Sequence, residues 1–170
     1  MMIKKIITGG QTGVDIGAMD AAIESGISTG GWCPPGCTNE SGIVPAQYLL
    51  KETEAEMSSL APEIARSLRT ARNVEEADAV LIMLPEVIPA DEGTIWTLQS
   101  AIIKGKPLLQ VDPAEHKSVG RVIEWLTRFR PETLNIAGPP ESHATGICLL
   151  SYAFMMEVFS GLQPAQPKAI

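Results

Sequence analysis

The sequence predicts an α/β domain in which a mostly parallel sheet carries helices on both faces. Short apolar runs alternate with segments of helical spacing along the chain. One of these runs, from Ala79 to Leu84, is continuously apolar, as in a central parallel strand that is buried on both faces. Repeated alternation of this kind implies right-handed βαβ crossovers. At 170 residues, we expect a single domain over residues 1–162, followed by a flexible tail over 163–170.

The first unit of the chain is predicted to be a strand, a glycine turn and a helix. The strand covers residues 4–8, and the turn follows at residues 9–13. Small residues then recur three or four positions apart from Val14 to Ala22, which is typical of one helical face. Gly26 is placed to end the helix. The small side chains on this face would let the helix lie close to its neighbours.

The remaining elements follow from the same two patterns. We predict strands where short apolar runs are bounded by glycine or proline, and helices where apolar residues recur at helical spacing. The predicted strands cover 27–32, 79–84, 107–111 and 134–137, and the predicted helices cover 55–71, 94–103, 119–129 and 146–159. Pro62 either lies in the first turn of the 55–71 helix or divides that helix. Residues 33–42 are rich in turn residues, and we interpret them as a functional loop.

The composition excludes two classes of partner. Apolar residues make up 45% and charged residues 19% of the chain, and no apolar run approaches the roughly 18 residues that a membrane helix needs. The net charge is −7, whereas nucleic-acid backbones are held by clusters of Lys and Arg. The three cysteines are an odd number in a chain large enough to fold without disulfides, which favours a reducing compartment. We therefore expect a soluble cytoplasmic protein that binds neither nucleic acid nor membrane.

The glycine turn after the first strand is the strongest candidate for a ligand site. It consists of Gly9, Gly10, Gln11, Thr12 and Gly13 and follows the carboxyl end of a strand, where parallel α/β proteins bind ligands. Glycines permit a ligand to approach the backbone closely, and the free N–H groups at the start of a helix attract phosphate. The turn matches neither the dinucleotide fingerprint nor the Walker A pattern. It therefore predicts a phosphate-bearing ligand without predicting NTP hydrolysis.

Two side chains beside these glycines have competing interpretations. Thr12 and Asp15 have the spacing of a helix capping box, which would give both a structural role. Alternatively, Asp15 binds a ribose hydroxyl or a hydrated metal ion. Gln11 is not a favoured turn residue, so we interpret its side chain as a ligand contact.

Two further polar groups follow predicted strands at the same edge of the sheet. Gly93 and Thr94 lie between the strand at 79–84 and the next helix, where Thr94 either belongs to the helix start or contacts the ligand. Asn135, Gly138 and Ser142 form a third polar group after the last strand, and Ser142 either caps a helix or contacts the ligand. Together with the first turn, these groups would form a three-sided pocket.

A phosphate in such a pocket calls for a positive charge. Arg66, Arg69 and Arg72 recur at helical spacing and precede the strand at 79–84. Arginines in such a pattern are commonly solvated, but a guanidinium is well suited to clamp a phosphate. Arg69 is our candidate for this role.

The sequence does not predict a metal site. Cys33 and Cys37 have no second cysteine pair to complete a zinc site, and the two histidines, His116 and His143, lie elsewhere in the chain. Neither histidine has a recognisable nucleophile context, so no catalytic triad is predicted either.

Four blocks of sequence together resemble the "putative molybdenum carrier" family. They extend in order across most of the chain, and comprise Ile7 to Asp15, Thr29 to Pro34, Arg69 to Ala79, and Leu134 to Pro139. Several short motifs at matching intervals are much more specific than one glycine turn. The resemblance implies a Rossmann-like, three-layer fold that is related to the nucleotide-binding group of the cytokinin-activating phosphoribohydrolases, also called lysine decarboxylase-like proteins.

The resemblance also implies a bound nucleotide-like molecule, and the family name implies molybdenum cofactor, a pterin that carries phosphate. Two departures from related patterns matter. The phosphoribohydrolases carry Pro-Gly-Gly-x-Gly-Thr-x-x-Glu, whereas this chain has Thr97 where the catalytic glutamate belongs. Relatives also tend to carry basic residues after the Cys-Pro pair, where this chain has Pro35, Cys37 and Thr38. The first departure favours binding over hydrolysis by that mechanism.

Three functional hypotheses follow. The leading one is a binding protein for a phosphate-bearing, nucleotide-like ligand, with molybdenum cofactor or a nucleotide as the cofactor. The alternative is a nucleotide-processing enzyme that hydrolyses an N-glycosidic or phosphate bond, with Asp15 or Glu141 as acid or base. The third is an interaction module, because the apolar helix at 146–159 could join copies of the chain into a homo-oligomer.

Overall fold

The computed structural model describes residues 3–163 and confirms the α/β class. The strands, in chain order, are β1 (Lys5–Ile7), β2 (Ser28–Gly30), β3 (Trp32–Cys33), β4 (Thr38–Asn39), β5 (Gly42–Ile43), β6 (Lys51–Glu52), β7 (Ala79–Met83), β8 (Leu108–Val111) and β9 (Thr133–Ala137). The helices are α1 (Val14–Glu24), α2 (Ser67–Glu76), α3 (Glu92–Ile103), α4 (Ser118–Phe129) and α5 (Ile147–Leu162). Residues 164–170 of the predicted tail lie outside the described part of the chain.

Five of these strands form one sheet between two layers of helices. The strand order is β2-β1-β9-β7-β8, and every neighbouring pair is parallel. Along β7, Leu81 and Met83 face a core shared with α1, α4 and α5, whereas Val80 and Ile82 face a second core shared with α2 and α3. Burial on both faces explains why this strand is continuously apolar in sequence. The Rossmann-like, three-layer arrangement is thereby confirmed.

The strand order determines where the candidate loops meet. β9 lies between β1 and β7, and all three run parallel. Their carboxyl ends therefore lie side by side, and so do the loops that follow them at residues 8–13, 84–91 and 138–146. In open α/β sheets such a position is where ligands bind.

The predicted helix at 55–71 is wrong in position. Residues 53–66 form turns, and α2 runs from Ser67 to Glu76. The Ser67 hydroxyl accepts a hydrogen bond from Ser58 N at 2.8 Å and donates one to Ala61 O at 2.7 Å. These bonds fold the preceding segment back onto the helix start. The position of α2 therefore depends on contacts that helical spacing does not report.

The predicted functional loop at 33–42 contains more order than expected. β4 and β5 pair antiparallel as a small hairpin, separate from the central sheet. Cys33 and Cys37 are joined by a disulfide across a Cα–Cα distance of 5.0 Å. The odd number of cysteines favoured a reducing compartment, where disulfides are rare, so this bond was not predicted. β3 pairs with β6 in a further two-stranded parallel sheet.

Most of the large apolar side chains of α5 pack inside the molecule. Ile147, Phe154, Met155 and Phe159 are buried, and α5 packs against α1 and α4. Among the large apolar side chains of α5, Leu149 is the most exposed, at 73%. Oligomerisation through this helix therefore stays a prediction. No helix within residues 3–163 is both long enough and apolar enough to span a membrane.

The contact between α1 and α5 yields the first testable prediction. A Cβ added at Gly17 in α1 would lie 2.2 Å from Cys148 O, which is backbone and cannot move aside easily. A Cβ at Gly120 in α4 would meet nothing within 4 Å. We expect Gly17→Ala to lower the free energy of unfolding by about 1–3 kcal/mol, and Gly120→Ala to raise it by about 0.5–1 kcal/mol. Urea denaturation of the two variants measures both changes, and equal effects would contradict the close packing.

Candidate functional site

A cavity of about 520 Å³ opens at the carboxyl edge of the sheet. It is lined by the loops after β1, β7 and β9, together with the turns that precede α2. Half of the predicted site residues lie on its wall, namely Gln11, Asp15, Arg69, Gly93, Thr94 and Gly138. Gly9 and Asn135 line a much smaller void that also contacts Arg69.

The Asp15 carboxylate is the internal anion around which the first turn folds. Its Oδ2 accepts hydrogen bonds from Gly9 N and Gln11 N, each at 3.1 Å. The capping-box alternative is wrong, because Gly13 is the N-cap of α1 and no side chain caps that helix. Burial raises the pKa of Asp15 to about 6, while the Arg69 guanidinium and the two N–H groups oppose the rise.

Four of the five N–H groups of the first turn, which we expected to face a phosphate, donate to protein acceptors. Besides the two that reach Asp15, Gly10 N donates to Thr8 Oγ1 at 3.1 Å and Thr12 N donates to Gln11 Oε1 at 3.0 Å. The loop after β9 also fills the space beside Gly13, where a Cβ would lie 2.4 Å from Pro139 O. Glycine is therefore required at this position by the protein's own backbone.

Arg69 reaches the site from α2 and is only 15% exposed. Its Nη1 lies 3.7 Å from Asp15 Oδ2, which is too far for a hydrogen bond. Its buried Nε has no hydrogen-bond partner among the described residues. Burial lowers the pKa of Arg69 and Asp15 opposes this, but a guanidinium stays charged in proteins. The guanidinium packs on Gly9, where a Cβ would lie 1.6 Å from Nη1.

The second glycine turn forms the opposite wall at the start of α3. Asp91 is the N-cap, and its carboxylate accepts hydrogen bonds from the N–H and the hydroxyl of Thr94. Thr94 is thus a first-turn residue and not the cap. The N–H groups of Glu92 and Gly93 have no acceptor within the described part of the chain. Unpaired N–H groups at a helix start carry partial positive charge and bind anions.

One hydrogen bond links the two helices that carry these groups. Trp96 of α3 is buried, and its Nε1 donates to Ser67 O, at the start of α2, at 3.0 Å. Arg69 follows Ser67 by less than one turn, and Gly93 precedes Trp96 by less than one turn. The bond therefore fixes the position of the Arg69 guanidinium relative to the N–H groups of Glu92 and Gly93.

Sequence reasoning missed several residues of the cavity wall. They are Glu56, Ile64, Ala65, Arg66, Asp91, Glu92, Thr97, Ala137 and Pro140. Four of them come from the turns before α2, where an incorrect helix at 55–71 was predicted. The wall carries four carboxylates, from Asp15, Glu56, Asp91 and Glu92, against the two guanidiniums of Arg66 and Arg69. Arg72 points elsewhere, because it pairs with Glu54 at 2.5 Å and lies over Trp32.

The remaining four predicted residues line neither the cavity nor the smaller void, and the same is true of Glu141. Gly10 and Gly13 pack against protein groups, while Thr12 and Ser142 both contact the carboxylate of Glu40. The Glu141 carboxylate accepts hydrogen bonds from the N–H groups of Gly146 and Cys148, at the start of α5. Of the two acid–base candidates, only Asp15 therefore faces the cavity.

A known protein family matches most of the chain. The model of the circularly permutated YpsA SLOG family matches residues 6–159, which include all three loops and both glycine turns. The chain belongs to this family. No curated protein matches it.

One solved structure is similar to nearly the whole chain. The chain is similar to the crystal structure of a protein titled "Putative molybdenum carrier protein" from Syntrophus aciditrophicus, with 33% sequence identity and a TM-score of 0.81. The match covers 93% of this chain and 95% of the other. Membership of this SLOG family and this relative indicate a ligand-binding role.

Asp15 leads to the second prediction, which concerns pH. The rise in its pKa from 3.8 to about 6 means that protonation of Asp15 favours the folded state. This stabilisation is complete below about pH 4 and is lost as the pH rises through about 6. We expect the unfolding free energy of the wild type, relative to Asp15→Asn, to fall by about 3 kcal/mol over this range. Urea titrations at several pH values measure it, and a constant difference would show that the carboxylate is not desolvated.

Proposed function

We propose that the chain is a binding protein for a phosphate-bearing, nucleotide-like ligand. The phosphate lies between the Arg69 guanidinium and the N–H groups of Glu92 and Gly93 at the start of α3. The remainder of the ligand extends along the carboxylate-rich wall of the cavity. One observation carries the proposal, namely that Arg69 is buried at the cavity while its Nε has no hydrogen-bond partner within residues 3–163.

The burial of the Arg69 charge favours binding of an anion. Burial of a charged group costs several kcal/mol unless hydrogen bonds and an opposite charge compensate it. Asp15 supplies the opposite charge at 3.7 Å, but not a hydrogen bond, and Nε stays unpaired. A phosphate oxygen accepts from guanidinium N–H groups in a fork geometry that the fixed Asp15 carboxylate does not provide here. A bound phosphate would therefore relieve the cost that this side chain carries in the free protein.

The excess of carboxylates favours a ligand with more than phosphate. Asp15 is satisfied by the first turn and Asp91 by Thr94, whereas Glu56 and Glu92 lie exposed at the cavity. These four negative charges would weaken the binding of a ligand that consists of phosphate alone. Ribose hydroxyls, or the N–H groups of a base or pterin, would instead donate hydrogen bonds to free carboxylates. A nucleotide or a phosphorylated pterin satisfies both requirements.

Molybdenum cofactor is the specific ligand that the similar structure's title suggests. Its terminal phosphate fits the donors at Arg69 and α3, and its pterin N–H groups fit the carboxylates. Among residues 3–163, no group of three or more His, Cys, Asp or Glu side chains is arranged to hold a metal ion. We therefore propose that any molybdenum is carried by the pterin and not ligated directly by the protein.

Thr97 separates this proposal from the hydrolytic alternative. Its hydroxyl donates to Gly93 O at 2.9 Å, within α3, and its side chain is buried at the cavity wall. A threonine cannot act as the carboxylate acid or base that phosphoribohydrolases have at this position. We therefore propose binding without hydrolysis by that mechanism.

The third prediction tests the anion site with a matched pair of arginines. Arg69→Ala removes the cavity guanidinium, whereas Arg72→Ala removes the same charge one turn later, outside the cavity. We expect Arg69→Ala to weaken binding of orthophosphate and of AMP by at least about thirtyfold, because a charged hydrogen-bond donor is worth about 2–3 kcal/mol. Isothermal titration calorimetry should give affinities within about twofold of wild type for Arg72→Ala.

A second variant tests the same site in case Arg69→Ala does not fold. Gly9→Ala places a methyl group against the guanidinium, which can move aside because it is the far end of a flexible side chain. It should weaken orthophosphate binding while leaving far-UV circular dichroism unchanged. Equal binding by the wild type and both variants would contradict the proposed site.

The fourth prediction concerns the identity of the ligand. Native mass spectrometry of the chain, purified without added ligand, should show a fraction with the added mass of a phosphorylated nucleotide or pterin. Arg69→Ala should lack this fraction, and Arg72→Ala should retain it. Molybdenum measured in the same samples would follow the pterin mass if the cofactor proposal is correct. Molybdenum bound without any pterin mass would contradict it.

A further inference from the structure

Glu40 closes one side of the first turn from outside the cavity. It lies between β4 and β5, and its carboxylate accepts hydrogen bonds from the hydroxyls of Thr12 and Ser142 and from Ser142 N at 3.1 Å. Its own N–H donates to Gln11 Oε1 at 3.1 Å. We call this set of contacts, made by Glu40 with Gln11, Thr12 and Ser142, the Glu40 latch.

The donors of the latch have the chemistry of an anion site. Two hydroxyls and one backbone N–H, from the loops after β1 and β9, converge on a single carboxylate. Although partial burial raises it, the hydrogen bonds from Ser142 and Thr12 hold the pKa of Glu40 below its usual range. The carboxylate is therefore ionised near neutral pH. The same donors would serve a phosphate or carboxylate oxygen of a ligand equally well.

The tip of the hairpin that carries Glu40 has few buried contacts. β4 and β5 have two residues each and pair only with one another in the described sheets. Ser41 and Gly42 are exposed, and Ile43 is 81% exposed. Besides the latch, the tip is held to the first turn by a bond from Asn39 Nδ2 to Gly10 O at 2.9 Å. Segments with few buried contacts open at low cost.

The latch stands at the boundary of the proposed ligand cavity. Gln11 and Pro140 line that cavity, whereas their neighbours Thr12 and Glu141 line a second one, of about 380 Å³, on the other side of the same two loops. Gln11 contacts both the cavity and the Glu40 N–H. A ligand that engages Gln11 thus competes directly with one contact of the latch.

We infer that Thr12 and Ser142 form a second anion subsite, which Glu40 occupies in the free protein and vacates for a second anionic group of the ligand. The latch then selects ligands that carry two anionic groups, because a single phosphate at Arg69 leaves Glu40 in place. This selection rests on the proposed function, whereas the existence of the subsite does not.

The subsite is tested without the Arg69 site. In the Arg69→Ala background, we expect Glu40→Ala to bind orthophosphate at least about tenfold more tightly than Arg69→Ala alone, because the internal competitor is gone. Glu52→Ala in the same background is the matched control. Glu52 belongs to the same part of the chain and accepts a hydrogen bond from Gly36 N, but does not contact Thr12 or Ser142. Its removal should give no gain in calorimetric affinity.

A third substitution separates the subsite from long-range charge effects. Adding Ser142→Ala to the Arg69→Ala, Glu40→Ala variant should remove most of the gain in orthophosphate affinity, because the substitution deletes the Ser142 hydroxyl, one of the three donors. The inference is overturned if Glu40→Ala gives no gain, if Glu52→Ala gives an equal gain, or if the gain survives Ser142→Ala. None of these outcomes bears on the proposed function, which the wild type and Arg69→Ala test separately.

Amide hydrogen exchange of the wild type measures whether Glu40 leaves Thr12 and Ser142 when a ligand binds. With saturating pyrophosphate, the Glu40 N–H should exchange faster, because it has left Gln11, while the Ser142 N–H should stay protected by the bound anion. Orthophosphate should leave both unchanged. Slower exchange at Glu40 with pyrophosphate would show that the latch stays closed and would overturn the displacement, even where calorimetry shows that pyrophosphate binds.

Discussion

The ion pair between Asp15 and Arg69 is the constraint on which the rest of the site depends. The carboxylate accepts hydrogen bonds from two N–H groups of the first turn, so the protein's own groups fix the shape of that turn. The guanidinium balances that charge from a helix on the opposite face of the sheet. Because the pair is buried and lacks a hydrogen bond between its charges, the cost of removing those charges from water is only partly compensated. A site that is shaped in advance binds without ordering its own backbone, which lowers the entropic cost of association.

The strand order brings this pair together with the other walls of the cavity. Insertion of β9 between β1 and β7 places the loop that contains Gly138 against the ends of both neighbours. A Cβ at Gly138 would lie 2.3 Å from Met83 O and 2.6 Å from Val14 Cγ2. The glycine therefore has a packing role, since a larger side chain would push the β9 loop away from the first turn. Backbone contacts therefore determine the shape of this site, whereas its ion pair comes from side chains of α1 and α2.

Much of the fold could be predicted from local pattern, because periodicity and glycine turns report burial directly. The five central strands, α1 and α3 to α5 lie within a few residues of their predicted bounds. α2 was misplaced because its start depends on the Ser67 hydroxyl and on a left-handed Arg66 with φ of 60°. The convergence of Gly93 and Gly138 on one cavity could be predicted, because both follow parallel strands at the same edge of the sheet. Glu40 and the roles of Asp15 could not be predicted, because they depend on contacts between segments that are distant in sequence or on loop geometry that spacing does not encode.

The bond between Trp96 and Ser67 has a practical consequence. It places an indole, the strongest intrinsic fluorophore of proteins, at the joint between the helix that carries Arg69 and the helix that begins at the open N–H groups. The other two indoles lie apart from this joint, Trp32 between Lys51 and Arg72 and Trp125 beside Phe129. With those two replaced by phenylalanine, the emission of Trp96 would report relative motion of the two helices in real time. The molecule thus contains its own optical probe of whether its cleft is rigid.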